Sequence, residues 1–251
     1  MLLDGKTAVV YGGVGSIGRA MASAFAREGA HVFLAGRTQA TLDRAAEGLR
    51  ADGGTVDTAV VDALDEAAVD AHADGVVDRT GRLDVSVNLI ALNDVQGTPL
   101  VEMTVDDFLS PIATATRTQF LTTRAAARQM VTQGSGVILF FGGSGDPIRD
   151  YSIGGFQIAL EAIEALRKQL ASELGKFGVR VVSLRTGGIA ETLPDDFPGA
   201  DDILATIVGP TLLGRAATLA DVGNVAAFVA SDQAASITGA AINISCGAMF
   251  D

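Results

Sequence analysis

A strand that runs straight into a glycine-rich turn and then a helix is the feature that most constrains this chain. Thr7-Ala8-Val9-Val10-Tyr11 is a compact apolar run, Gly12-Gly13-Val14-Gly15-Ser16-Ile17-Gly18 follows, and Ile17, Ala20, Met21, Ala24 and Phe25 recur at helical spacing. Glycine lets the backbone turn sharply and lets an anion approach it closely. The helix N-terminus that follows offers unpaired N–H groups and the positive end of its dipole. His31-Val32-Phe33-Leu34-Ala35 reads as a second buried strand, followed by Thr38 as N-cap and the stripe Leu42, Ala45, Ala46 and Leu49. The βαβ unit is then complete. Alone, a glycine cluster at a tight turn has a purely steric reading; inside this unit, Gly12, Gly13, Gly15, Ser16, Ile17 and Gly18 point to a nucleotide phosphate site.

The alternation continues with strands over 56–61, 85–90, 137–141, 179–184 and 241–244. Helices start near Asp65, cover 116–130 ahead of Gly134, and run over 157–174. Continuous apolar strands joined by helices predict a parallel sheet covered on both faces. The expected fold is therefore α/β, a Rossmann-type three-layer sandwich around a seven-stranded, parallel, doubly wound sheet, with residues 1–251 forming one domain. A Pro- and Asp-rich stretch at 191–202 breaks the alternation and predicts a lid at about 191–210.

Charge and cysteine content narrow the function classes. The net charge of −12 leaves no basic surplus for a nucleic acid or an anionic membrane. Cys246 is the only cysteine, which excludes an intrachain disulfide, and no apolar run is long enough to span a bilayer. A soluble, cytoplasmic protein is expected. No His, Cys or carboxylate cluster has metal-ligand spacing, and His31 and His72 receive no role.

The loop from Tyr11 to Gly18 is similar to the fingerprint T-G-x-x-x-G-x-G, with Tyr11 in place of threonine and Ser16 in place of the middle glycine. Further along come Gly214-Arg215, Asp221-Val222, Phe228-Val229-Ala230-Ser231-Asp232 and Ile237-Thr238-Gly239. Over nearly its whole length the chain resembles the short-chain dehydrogenase/reductase family. That resemblance implies a nicotinamide dinucleotide cofactor, a small carbonyl or alcohol as substrate, and a homo-oligomer, most plausibly a tetramer. It carries cofactor contacts onto Asp62, Ala63 and Ile189, although Asp62 also suits a helix cap. After the second strand, Gly36-Arg37 stands where NAD-selective folds carry an acid; Arg37 favours NADP over NAD by pairing with a 2′-phosphate, against its reading as a solvated loop cation.

The family's catalytic residues are a tyrosine acid/base, a lysine that lowers its pKa, a serine that orients the carbonyl and an asparagine in a proton relay. Setting Ala159-Leu160-Glu161-Ala162 directly after the Y-x-x-x-K motif puts Ile153 and Gln157 at the tyrosine and lysine positions. Setting Tyr151 at the tyrosine pairs it with Gly155. The serine falls on Gly143, beside Ser144, and the asparagine on Ala115. All four roles are vacated, and losing a general acid forfeits ~10²–10⁴ in rate. The substitutes available in sequence are Tyr151 as acid, Ser144 and Gln157 as holders of a water, and Gln157 as a partner for ribose hydroxyls. Asn93, Asp94, Asp146, Arg149, Asp150 and Glu191 crowd the same mouth and read mostly as solvated loop residues. The expected activity is an NADP(H)-linked oxidoreductase with an atypical proton donor. A non-redox enzyme (dehydratase, isomerase or cyclase) and an inactive cofactor-binding protein are the alternatives.

Overall fold

The computed structural model describes residues 1–143, 151–193 and 199–250. Its strands are β1 (Thr7–Tyr11), β2 (His31–Gly36), β3 (Thr55–Val60), β4 (Val85–Asn88), β5 (Gly136–Gly142), β6 (Val179–Thr186) and β7 (Ala241–Ile244). They form one sheet in the order β3-β2-β1-β4-β5-β6-β7, and every neighbouring pair is parallel, as the unbroken apolar strands require. The strand order reverses between β1 and β4, and the ends of these strands frame a crevice there.

The helices are α1 (Ser16–Arg27), α2 (Gln39–Ala51), α3 (Glu66–Thr80), α4 (Val105–Gln133), α5 (Gly155–Leu174), α6 (Ala200–Val208) and α7 (Leu219–Ala230). Side chains of β1 alternate between two apolar layers. Ala8 and Val10 pack with Phe25 of α1, Leu42 of α2 and Val222 of α7, while Val9 and Tyr11 pack with Val69 of α3, Met130 of α4 and Leu160 of α5. The expected three-layer sandwich is the observed one.

Three elements differ from their sequence reading. α4 starts at Val105 rather than 116, passing through Pro111, whose ring is buried. Proline removes one helical hydrogen bond, which in sequence argues for a break; the Thr104 cap, accepting from the Asp107 N–H at 3.1 Å, starts the helix upstream of it. β4 ends at Asn88 rather than 90, because the Asn88 carboxamide oxygen accepts from the Ile90 N–H at 2.9 Å and turns the chain off the sheet. Within the expected lid, α6 is helical, and Ile207 sits close against Gly188. The Gly214-Arg215 and Asp221 phrases meet at the start of α7: Asp221 and Thr218 form a capping box, and Arg215 donates to Asp221 at 2.6 Å. That Arg215 bond, with the Thr218 backbone, pulls the Asp221 carboxyl down to about 2.

Candidate functional site

A cavity of about 880 Å³ opens at the carboxyl ends of β1, β4, β5 and β6. One wall is the turn from β1 to α1, where Gly12, Gly15, Ser16, Ile17 and Gly18 all line the space. No side chain caps α1, so the N–H groups of its first turn face the cavity end without an acceptor in the helix. Gly12 has φ +76°, and a Cβ there would lie 2.5 Å from the Leu89 carbonyl oxygen. A Cβ on Gly18 would lie 2.5 Å from the Gly12 oxygen. Both glycines let helix and turn close on each other.

Beneath the turn, Tyr11 is buried, and its hydroxyl is 3.1 Å from Nδ1 of His72 on α3. Burial, aided by the charge of Asp70, raises the Tyr11 phenol, and burial draws His72 down to about 4, so both are neutral at pH 7. Tyr11 thus anchors the start of the turn onto α3.

The inner end of the cavity is built by α4, α5 and the strand ends. Ala115, Thr118 and Gln119 of α4 face Ile153, Phe156, Leu160 and Ile163 across it, with Gly142 and Gly143 of the β5 end and Asn88 of β4 alongside. A Cβ on Gly142 would lie 2.7 Å from Cδ2 of Leu160, whereas one on Gly143, the serine position, would meet Leu160 only at 3.5 Å. Asn88 donates to the Thr122 hydroxyl at 3.2 Å, and Thr122 in turn donates to the Thr118 carbonyl at 2.8 Å. Among the described residues that line the cavity, the only charged side chain is that of Asp94, which accepts from Gln96.

The structure brings together some of the residues singled out in sequence and separates others. Gly12, Gly15, Ser16, Ile17 and Gly18 share the cavity with Ala115, Gly143 and Ile153. Gly13 is buried instead against Leu34 and lies behind the lining, because the turn points its Cα into the sheet–helix layer. Ile189 is likewise in the core, its carbonyl accepting from Thr192. Gln157 is half-buried but does not line the cavity, being one residue round the helix from Phe156. Tyr151 is 50% exposed and also outside the lining. Arg37 is exposed just past β2, with no partner among the described residues, and Ala63 is buried three residues past the end of β3. Asp62 accepts from the Leu64 N–H at 3.0 Å, while Asp65 is the residue that caps α3. Ser144, Asp146, Arg149 and Asp150 lie outside the described residues. Thr118, Gln119, Phe156 and Leu160 were not singled out in sequence as site residues; the four-residue spacings 115/119 and 156/160 are the only signal they carry.

Residues 13–249 match a family model described as enoyl-(acyl carrier protein) reductase. The chain is 33% identical to (5R,7aS)-5-hydroxy-7a-methyl-1-oxo-2,3,5,6,7,7a-hexahydro-1H-indene-carboxyl-CoA reductase of Mycobacterium tuberculosis, over 98% of this chain and 94% of the relative. It is 31% identical to D-threitol dehydrogenase of Mycolicibacterium smegmatis, over 98% and 93%. The solved structure of a short-chain type dehydrogenase/reductase from Mycobacterium ulcerans superposes with a TM-score of 0.88 at 26% identity, covering 99% of this chain and 91% of that one.

Proposed function

Because this chain belongs to the short-chain dehydrogenase/reductase family, we propose that it is a nicotinamide-dependent oxidoreductase that binds NADP(H) in preference to NAD(H) and acts on a small, neutral carbonyl or alcohol. The observation that carries this reading is the single cavity in which uncapped N–H groups of α1 at one end meet an uncharged, apolar pocket at the other. The first end suits a pyrophosphate, and the second suits a nicotinamide ring with a neutral substrate beside it. Calorimetric titration with NADPH and NADH, followed by a hydride-transfer assay with neutral ketones, tests it; failure to bind either dinucleotide overturns it.

NADP preference rests on Arg37, which is exposed beside the N-terminus of α2 and free to meet a 2′-phosphate. Arg37→Ala is expected to weaken NADPH by about 1.5–3 kcal/mol and to spare NADH. Equal weakening of both cofactors removes this role from Arg37.

The proton donor is atypical. A tyrosine and a lysine four residues apart share one helix face; Ile153, just before α5, lines the cavity but Gln157 does not, and on α5 the four-residue pair on the cavity is Phe156 and Leu160. None of these four residues supplies a phenol or an ammonium, and Ala115 and Gly143 supply no amide or hydroxyl. We therefore assign the proton to water or to the substrate itself. Tyr151→Phe is expected to leave turnover within twofold, since its ring stands outside the cavity. A loss of ~10²–10⁴ would restore Tyr151 as the acid. The same apolar face favours a second reading, a non-redox enzyme or inactive cofactor-binding protein on this scaffold, which predicts dinucleotide binding without hydride transfer. In both readings the chain acts as a single domain with a lid over 191–210, of which 194–198 lie outside the described residues, in the cytoplasm, as a homotetramer; exposed Phe120 of α4 and Ile158 of α5 supply apolar surface for such contacts.

A further inference from the structure

Gln119 is 5% exposed on α4 and lines the inner end of the cavity. Its amide nitrogen is fully buried, and among the described residues it has no hydrogen-bond partner. A buried donor without an acceptor is destabilising, and native structures rarely carry one without a use. Its neighbours cannot relieve it. Ala115 one turn before it, and Leu160 and Ile163 across the cavity, have no polar side-chain atoms. The nearby hydroxyls of Thr118 and Thr122 are turned onto backbone carbonyls of their own helix. The amide is therefore an unpaired, buried polar group among mostly apolar side chains of the cavity wall.

The chemistry of the walls says what it meets. No described cation lines the cavity, and its one described carboxylate is Asp94, so an anionic group at the inner end would lack a counter-charge. A neutral oxygen fits. We propose that the Gln119 amide is the anchor of the inner cavity, donating its N–H to an uncharged ligand oxygen, either a sugar hydroxyl of the cofactor's distal half or the carbonyl or hydroxyl of the substrate. This rests on the reading that the cavity holds a dinucleotide with its phosphates on α1. A residue kept for a ligand at a cost to the empty protein makes two opposite predictions for one substitution. Gln119→Met keeps the length and removes the unsatisfied donor.

The ligand-free Gln119→Met protein is expected to melt higher than the wild type by about 2–4 °C. Its ligand affinity is expected to fall about three- to tenfold. Calorimetry of the full chain with NADPH and with adenosine 2′,5′-bisphosphate, which lacks the distal half, separates the sources. Weaker NADPH binding with unchanged bisphosphate binding assigns the oxygen to the cofactor. Unchanged binding of both, with weaker saturation-transfer signals from cyclohexanone added to the NADP-loaded protein, assigns it to the substrate. A lower melting temperature with all three probes bound as in the wild type makes Gln119 structural and overturns the proposal. If the wild type binds neither NADPH nor the bisphosphate, the dinucleotide reading itself fails and the proposal falls with it.

Discussion

Replacing Glu164 by alanine is expected to lower the stability of the protein by about 3–5 kcal/mol, the usual cost of removing one partner from a buried ion pair. Glu164 is 5% exposed on α5 and holds three donors. The Ser183 hydroxyl of β6 donates to one carboxylate oxygen, while Arg167 Nε at 3.1 Å and Arg185 Nη2 at 2.6 Å donate to the other. Arg167 is 3% exposed, and its Nη1 and the Nε of Arg185 have no acceptor among the described residues. Without the carboxylate, two guanidinium groups would share a low-dielectric layer between helix and sheet with no counter-charge. Burial alone pushes the Glu164 carboxyl up, but the Ser183 bond and the charges of Arg167 and Arg185 outweigh it and hold it below the ordinary carboxylate range. A depressed folded-state pKa means that this stabilisation is complete above the unfolded value of about 4.3 and is lost as pH falls through the folded value. Thermal unfolding of wild type and Glu164→Ala at pH 7, 5, 4 and 3 should show a wide gap that closes with acid. A gap under about 1 kcal/mol at pH 7, or one indifferent to pH, would mean the cluster is no better than its apolar replacement.

Gly155→Ala is expected to cost about 3 kcal/mol or more, the upper end for overpacking, because the clash is with backbone. Gly155 is buried in the first turn of α5, and a Cβ there would lie 2.0 Å from the Phe108 carbonyl oxygen of α4 and 3.1 Å from the Pro111 ring. Neither neighbour can rotate away, so α5 must move off α4. Phe156 and Leu160 would move with it, and the inner cavity would lose its shape, so ligand affinity should fall even where the variant remains folded. Gly175, just past the other end of α5, provides the comparison: its backbone is right-handed helical and nothing lies within 4 Å of its Cβ position. Gly175→Ala should be neutral or stabilising by up to about 1 kcal/mol. Similar melting temperatures for the two variants would show that the contact between α4 and α5 is looser than these distances imply.

What could be read from the sequence was whatever one strand or one helix turn decides by itself. The apolar runs set the strands, their lack of alternation set a parallel sheet with two covered faces, and the glycines from Gly12 to Gly18 marked where a chain end must bend tightly beside a helix N-terminus. The phrases Gly214-Arg215 and Asp221-Val222 were legible only as a resemblance; the structure gives them a local role, a cap whose partners lie within six residues. The start of α4 was missed, the expected helix opening at 116 while the Thr104 cap opens it at Val105 and Pro111 lies within it.

The site itself was only half legible. Periodicity says which residues of α5 share a face, but not which turn of that face stands opposite the end of β5. That axial position is set by contacts between distant segments: Gly155 against the Phe108 carbonyl, and Leu160 against Gly142. Those two close approaches put Phe156 and Leu160 on the cavity and leave Gln157 beside it and Tyr151 half in solvent. Likewise, nothing in the order of residues joins Glu164 to Ser183 and Arg185, or shows that the Gln119 amide nitrogen has no acceptor among the described residues. The sequence by itself determined the layers and the glycine-rich turn, since these follow from backbone conformation and local apolar pattern. Only the tertiary structure decided which side chains meet in the cavity and in the core, since a few ångströms of helix position, fixed by packing across 15 to 50 residues of chain, exchange one side chain for the next.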